Sequence, residues 1–172
     1  MATYVMSDLH GRYDRYEKML QAINFSDSDK LIIAGDVVDR GPDGIKILLD
    51  IMSRPNVEFI IGNHELLMID AIMSLKDDPR ETFGLWMYNW YSEGGQKTHA
   101  KFKRLRAKER ESVLRFLLNA PYSAYKTVNG RSFYIVHGGP KHAADPEVLT
   151  YFSTDKYIMA WCRPNVNTYI PM

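Results

Sequence analysis

The sequence has very little cysteine and no long apolar run. Its one cysteine, Cys162, excludes an internal disulfide bond and fits a reducing compartment. No window approaches the roughly 20 apolar residues that are needed to span a bilayer. Charged residues occur within the first eight positions, too early for the core of a signal peptide. These absences predict a cytoplasmic protein with no membrane partner.

An excess of one charge is also lacking. The 22 lysines and arginines nearly balance 21 acidic residues, and the net charge is +1, so no global field favours binding to nucleic acid. Neither a P-loop lysine motif nor Gly-x-Gly-x-x-Gly occurs, which gives no support to nucleotide binding of those types. The basic stretch 101–115 includes Glu109 and Glu111 and is more typical of a solvated helix face than of a docking surface.

What the sequence does contain is an alternation of short apolar runs and helical periodicity over its first 75 residues. This order predicts an α/β fold with a parallel sheet and right-handed crossovers. The length suffices for one domain, predicted over 1–172. The predicted strands cover 4–6, 30–34 and 57–61, and helical faces cover 13–23, 45–52 and 66–75.

Residues 80–120 lack strand signals and hold two of the three tryptophans. We interpret this stretch as a helical insertion within the domain. Its aromatic residues are more typical of a hydrophobic core than of a cleft wall; they are Trp86, Tyr88, Trp90 and Tyr91. His99 is predicted to lie on the surface. Asn129-Gly130 then predicts a hairpin turn between strands at 122–128 and 132–136.

Polar side chains follow the ends of four predicted strands. The segments are Ser7-Asp8-Leu9-His10-Gly11, GDVVDRG at 35–41, Gly62-Asn63-His64-Glu65 and Val136-His137-Gly138-Gly139. In open α/β sheets, sites form outside the carboxyl ends of the strands. Carboxylate, amide and imidazole groups suit a borderline divalent metal. One such motif is equally typical of a helix cap or a tight turn, but four in succession predict a metal site.

Together these motifs resemble the calcineurin-like metallophosphoesterases, and more narrowly the phosphoprotein phosphatases and their bacterial and phage relatives. All four family motifs are present in order. Weaker similarities are Gly94-Gly95 with Thr98, and Trp161-Cys162-Arg163. The resemblance covers essentially the whole chain. It implies a βαβαβ core within a sheet sandwich that is flanked by helices.

The resemblance departs from the family pattern near the C-terminus. The family places a further metal-binding histidine in a Gly-His-Thr segment, whereas this sequence has no histidine after His142. We therefore expect a C-terminally truncated form that lacks part of the second sheet and has a depleted second metal site. A divergent member is the alternative, and a substitute role for His142 is less favoured.

The resemblance implies a site with two divalent metal ions. Asp36 would bridge the metals, Asp8 and His10 would complete the first, and Asn63 and His137 would join the second. Manganese is the expected metal, with iron or zinc as alternatives. A metal-bound hydroxide would attack phosphorus directly, without a covalent enzyme intermediate.

The same resemblance assigns the groups that face the substrate. Arg40 would grip the phosphate oxygens with its planar fork, together with Asn63, His64 and, less firmly, Arg163. His64 would also protonate the leaving alkoxide. Asp39 would orient His64 and favour its charged form.

Structural roles are expected for three neighbours of these groups. Glu65 should accept a hydrogen bond within its own loop, and Val37 and Val38 should pack beneath the loop that follows the second strand. Cys162 is not expected to act as a nucleophile, because nothing like a cysteine-phosphatase loop surrounds it.

Three functions compete at this point. The favoured one is a metal-dependent phosphomonoesterase of the serine/threonine protein phosphatase type, with tyrosine as a further target, acting on a phosphorylated protein or a small phosphoester. The alternative is a symmetric dinucleoside tetraphosphate hydrolase. Asp39 counts mildly against it, because such relatives usually lack an acid there. A second alternative is a metal- or phosphate-binding remnant that is weak or inactive as a catalyst, since the last histidine ligand is absent. The sequence does not set the oligomeric state.

Overall fold

The structure is a computed structural model that describes residues 1–77, 83–139 and 155–162. Its strands are β1 (Thr3–Met6), β2 (Lys30–Ala34), β3 (Val57–Ile60), β4 (Ser123–Val128) and β5 (Arg131–Val136). Its helices are α1 (Tyr13–Ala22), α2 (Gly44–Ser53), α3 (Asn63–Asp77), α4 (Phe83–Ser92), α5 (Gln96–Arg104), α6 (Ala107–Asn119) and α7 (Asp155–Trp161). None of the described helices is long and apolar enough to cross a membrane.

A three-stranded parallel sheet in the order β1-β2-β3 forms the centre of the fold. Val5 pairs with Ile32, and Ile33 pairs with Phe59. The central strand β2 is buried from Leu31 to Ala34, which explains why its sequence is continuously apolar rather than alternating. Helices α1 and α2 lie in the two crossovers, so the α/β prediction is confirmed.

The loops that follow β1 and β2 are joined by backbone hydrogen bonds. Because both strands run in the same direction, their carboxyl ends meet at one edge of the sheet. The bonds run from Asp8 N to Gly35 O (3.2 Å), from His10 N to Asp36 O (2.9 Å) and from Gly11 N to Val37 O (2.8 Å). The two loops therefore continue the pairing of the strands and present their side chains side by side.

Helix α3 begins earlier than the apolar periodicity predicts. Its first residue is Asn63, not Leu66, so Asn63 and His64 lie in the first helical turn. The difference arises because the first turn consists of polar residues, which carry no apolar signal. The helix start fixes the direction in which these two side chains leave the backbone.

Helices α4, α5 and α6 confirm the helical insertion. Trp90 is fully buried, whereas Tyr88 is 71% exposed. The prediction that His99 lies on the surface is wrong. Its side chain is buried, and its Nδ1 lies 2.6 Å from the Tyr91 hydroxyl oxygen. The hydroxyl gives the imidazole a hydrogen-bond partner inside the insertion, which offsets the loss of hydration when the imidazole is buried.

Strands β4 and β5 form the predicted antiparallel hairpin, and Val128 pairs with Arg131 across the turn. Asn129 and Gly130 both have positive φ, at 50° and 75°, which is the geometry of a type I′ turn. The hairpin brings His137, directly after β5, to the same edge of the sheet as the β1 and β2 loops.

Candidate metal centre

The carboxylate of Asp36 lies at the centre of the cluster of site residues. Its Oδ2 lies 3.3 Å from the Nε2 of His137, 3.7 Å from that of His10 and 3.9 Å from that of His64. Two groups of potential ligand atoms have all members within 4.8 Å of one another; they are His10, Asp36 and His64, and Asp8, Asp36 and His137. Asp36 belongs to both groups, as a bridging carboxylate would. The groups pair Asp8 with His137 and His10 with His64, whereas the sequence predicted Asp8 together with His10.

Backbone carbonyl groups orient two of the imidazoles. The Nδ1 of His137 donates to Ala34 O at 2.7 Å, and the Nδ1 of His10 donates to Val38 O at 3.2 Å. Each bond leaves Nε2 to face the central carboxylate, as is usual for metal-ligating histidines. The Oδ1 of Asn63 lies 3.1 Å from the Nε2 of His137. This convergence of oxygen and nitrogen acceptors fits a divalent cation.

Mutual interaction shifts the titration of the clustered groups. Burial alone would raise the pKa of Asp36, but the hydrogen bond and charge of His137, with a contribution from His64, hold it below its usual value. Burial would lower the pKa of His137, yet the same pairing with Asp36 raises it. Burial, the charge of Arg40 and the neighbouring His64 lower the pKa of His10. The centre therefore favours an ionised carboxylate.

Asp39 and His64 form a buried pair beside this centre. Their side chains are 0% and 1% exposed, and the Nδ1 of His64 donates to the Oδ2 of Asp39 at 2.9 Å. Burial would lower the pKa of His64, but this hydrogen bond and the nearby carboxylates raise it. The Nε2 of His64 is thereby turned toward the site. It lies 3.2 Å from the Nη2 of Arg40.

Arg40 lies at the exposed side of the cluster, with 55% of its side chain accessible. Its Nη1 donates to the Nε2 of His10 at 2.9 Å. Its backbone is held by the turn between α4 and α5, because Arg40 N donates to Gly94 O at 3.0 Å and Lys97 Nζ donates to Arg40 O at 3.2 Å. The Arg40 backbone is therefore anchored, and its half-exposed guanidinium donates to the imidazoles of His10 and His64 at the edge of the cluster.

Left-handed backbone conformations are concentrated in these loops. Positive φ costs a non-glycine residue energy unless the surroundings enforce it, and such residues cluster at functional sites. The site residues with positive φ are Asp8 (55°), His10 (42°), Asp36 (57°), Asp39 (70°) and Arg40 (62°). The interloop hydrogen bonds supply the constraint that holds these conformations.

The structure thus brings together eight of the nine residues proposed from the sequence. They are Asp8, His10, Asp36, Asp39, Arg40, Asn63, His64 and His137. Their individual roles stay predictions. Arg163, the ninth, lies outside the described residues.

A family model described as calcineurin-like phosphoesterase matches residues 1–166. The chain belongs to the calcineurin-like phosphoesterase family. Metallophosphoesterases are hydrolases that use divalent metal ions, in agreement with the donor cluster around Asp36.

Several curated relatives of this calcineurin-like phosphoesterase are named symmetrical bis(5'-nucleosyl)-tetraphosphatase. One from Buchnera aphidicola is 38% identical over 48% of this chain and 31% of its own length. One from Delftia acidovorans is 29% identical over 81% of this chain and 44% of its own length. The chain therefore covers less than half the length of either relative.

Solved structures support the fold of this calcineurin-like phosphoesterase. A protein serine/threonine phosphatase from Saccharomyces cerevisiae matches 95% of this chain and 52% of its own, with a TM-score of 0.56 and 15% identity. A metallophosphoesterase from Sphaerobacter thermophilus matches 81% of this chain and 47% of its own, with a TM-score of 0.52 and 21% identity. At these identities the likeness concerns the fold alone.

Glu65 has a larger role in this calcineurin-like phosphoesterase than the sequence suggested. Its buried carboxylate accepts hydrogen bonds from the backbone N–H groups of Asp36 (2.9 Å), Val37 (2.9 Å), Val38 (3.2 Å) and Gly62 (3.0 Å). It joins two strand ends, whereas the prediction confined it to its own loop. Burial and the charge of Asp36 raise the pKa of Glu65 to about 7. The one sequence feature that pointed to a role for Glu65 at the site is its position directly after His64.

Two further supporting residues were missed. The Nε1 of Trp90 donates to both carboxylate oxygens of Asp39, at 3.1 and 3.0 Å. The Oγ1 of Thr98 accepts a hydrogen bond from Asp39 N at 2.9 Å. Trp90 had been interpreted as core alone, and Thr98 only as part of a weak similarity. Neither contact has a local sequence signal, because more than 50 residues separate the partners.

Gly62 allows the third strand end to approach the centre. A Cβ at this position would lie 2.5 Å from Asp36 N and 3.0 Å from the Oε2 of Glu65. We expect Gly62→Ala to lower the free energy of unfolding by about 1–3 kcal/mol, because buried groups must shift to make room. Denaturant unfolding would measure the change.

Gly84→Ala is the matched control for this prediction. A Cβ at Gly84, in α4, would meet nothing within 4 Å. The replacement should stabilise the helix by roughly 0.5–1 kcal/mol. If the two variants change the free energy of unfolding equally, the close approach at Gly62 has no energetic importance.

Proposed function

We propose that this chain cleaves symmetric dinucleoside tetraphosphates by metal-dependent hydrolysis. The names of the curated relatives support this substrate class. They favour it over the protein phosphatase that the sequence alone put first. Because the matched segments cover less than half of those relatives, the substrate remains a proposal.

The observation that carries the hydrolase chemistry is the convergence of donors on one buried carboxylate. Asp36 would contact two divalent cations, with Asp8 and His10 on one side and Asn63 and His137 on the other. Manganese is our first candidate, and iron or zinc would accept the same donors. When bound, such cations would lower the pKa of a coordinated water and offset the charge of the phosphate.

Of the remaining groups, Arg40 and His64 would act on the substrate directly and Asp39 through His64. Arg40 presents a half-exposed guanidinium at the edge of the cluster, which would suit bidentate contact with phosphate oxygens. The guanidinium donates to the Nε2 of His64 at 3.2 Å. When Arg40 turns to a phosphate instead, Nε2 becomes free to carry a proton beside that phosphate. Asp39 keeps His64 in this orientation and favours its charged form.

A serine/threonine protein phosphatase is the second candidate, and the buried Asp39–His64 pair is the observation that favours it. The alkoxide released from a phosphoserine is a poor leaving group that requires a proton. A nucleoside diphosphate is a better leaving group and departs more readily without protonation. A histidine held at 2.9 Å by a fully buried aspartate is therefore more useful to a phosphomonoesterase.

Product analysis separates the two candidates. The chain would be incubated with manganese and either diadenosine tetraphosphate or a phosphoserine peptide, and the products resolved by liquid chromatography. We expect two molecules of adenosine diphosphate from each dinucleotide, and kcat/KM at least about tenfold higher than for the peptide. Chelation of the metal should stop the reaction.

Two other outcomes would contradict the proposed substrate or the proposed cleavage position. Release of adenosine monophosphate and triphosphate would contradict symmetric cleavage. A preference for the phosphopeptide by a similar factor would favour the second candidate.

A further inference from the structure

We infer that Trp90 is a positioning residue for the leaving-group histidine, acting through Asp39. The inference rests on the proposed hydrolase function of the same site. The Nε1–H of Trp90 contacts both oxygens of Asp39, and Asp39 in turn accepts the Nδ1–H of His64. A neutral indole from the helical insertion thus reaches the catalytic imidazole through one carboxylate.

All three members of this chain of hydrogen bonds are withdrawn from solvent. Trp90 and Asp39 are 0% exposed, and His64 is 1% exposed. A buried carboxylate needs donors to compensate for lost hydration. Among the described residues, the donors to the Asp39 side chain are Trp90 and His64, and only Trp90 reaches Oδ1.

Contact with both oxygens gives Trp90 control over the direction of the carboxylate. A carboxylate held only through Oδ2 could rotate about its last torsion, which is broad for aspartate. A donor placed between the two oxygens opposes that rotation. The orientation of His64 follows, because its ring is held through the same Oδ2 at 2.9 Å.

The segment 90–98, which spans the end of α4, the turn at 93–95 and the start of α5, fixes the position of Trp90. Gly95 N donates to Trp90 O at 3.0 Å, and a Cβ at Gly95 would overlap the indole. The His99 ring packs against Trp90 with centroids 5.4 Å apart. The same segment holds Asp39 through Thr98 and Arg40 through Gly94. The indole is therefore located by the backbone that also holds the phosphate-binding loop.

A purely structural role for Trp90 makes a different prediction from a positioning role. If the indole only fills space, its removal lowers the rate with every ester alike. If it positions His64, the loss depends on how much the leaving group needs a proton. Two aryl phosphates of similar size, phenyl phosphate and 4-nitrophenyl phosphate, differ in this respect because 4-nitrophenolate leaves readily without protonation.

The test is Trp90→Phe, which keeps an aromatic ring and removes the N–H donor. We expect kcat for phenyl phosphate to fall about tenfold, the value of one hydrogen bond to a charged group. For 4-nitrophenyl phosphate kcat should change less than about twofold, and both KM values should stay constant. Trp86→Phe, one turn earlier on α4, is the control and should leave both rates unchanged.

An equal loss with both esters, or a change confined to KM, would overturn the inference. If the wild-type chain hydrolyses neither these esters nor diadenosine tetraphosphate with manganese, the proposed hydrolase function fails instead. In that case, and if only the tetraphosphate is cleaved, a second measurement decides the role of Trp90. In protein labelled with ¹⁵N-tryptophan, the Trp90 indole N–H should exchange slowly and shift on Asp39→Asn but not on Asp27→Asn. A rapidly exchanging indole signal that ignores Asp39→Asn would refute the contact, whatever the activity or folding of Trp90→Phe.

Discussion

Replacing Asp36 with asparagine should lower metal-dependent hydrolysis at least about a thousandfold, as expected when a central catalytic group is removed. Asparagine has nearly the same shape, but it carries no charge and offers one acceptor oxygen instead of two. The Oδ2 of Asp36 faces three imidazole nitrogens at 3.3 to 3.9 Å. Loss of its charge therefore weakens every cation position that it borders.

Metal content gives the same prediction a readout that is independent of turnover. Equilibrium dialysis against manganese should show fewer bound ions per chain for Asp36→Asn than for the wild type. Asp27→Asn, at an exposed position, is the matched control and should retain both metal and activity. Unchanged manganese binding together with wild-type turnover in Asp36→Asn would remove Asp36 from the centre of the mechanism.

Replacing Glu65 with leucine should lower the free energy of unfolding by about 4 kcal/mol, because it leaves buried backbone N–H groups without an acceptor. The carboxylate accepts four backbone N–H groups from two strand ends and is fully buried. Leucine fills a similar volume but accepts no hydrogen bond. Denaturant unfolding monitored by circular dichroism would measure the loss.

Two further variants bracket the effect of Glu65. Glu65→Gln keeps one acceptor oxygen, so we expect about half of the loss seen with leucine. Glu111→Leu, at an exposed position of α6, should change the free energy of unfolding by no more than about 0.5 kcal/mol. Should Glu65→Leu be as mild as Glu111→Leu, the carboxylate would not be what joins the two strand ends.

The sequence by itself determined the parallel βαβ order and the positions where chemistry follows each strand. Apolar runs such as 30–34 and helical spacing such as 13–23 are local signals, and the structure confirms them as β2 and α1. Parallel strands place their carboxyl ends at one edge, so motifs far apart in the chain were predicted to meet. His10 after β1 meets Asp36 after β2 in this way. His137 follows a strand of the separate antiparallel hairpin, and its approach to Asp36 across about 100 residues depends on the packing of that hairpin.

Only the tertiary structure decided how the site is supported. Glu65 contacts three consecutive N–H groups of the β2 loop, and Trp90 contacts Asp39 from the helical insertion. The motif at 62–65 contains Glu65 but does not give its bonding partners, and periodicity gives neither contact, because each depends on how two distant segments pack. His99 was misplaced for the same reason, since its burial depends on the Tyr91 hydroxyl brought beside it by helix packing. The local motifs determine which ligand groups are present, whereas packing between helices and strands determines how those groups are oriented.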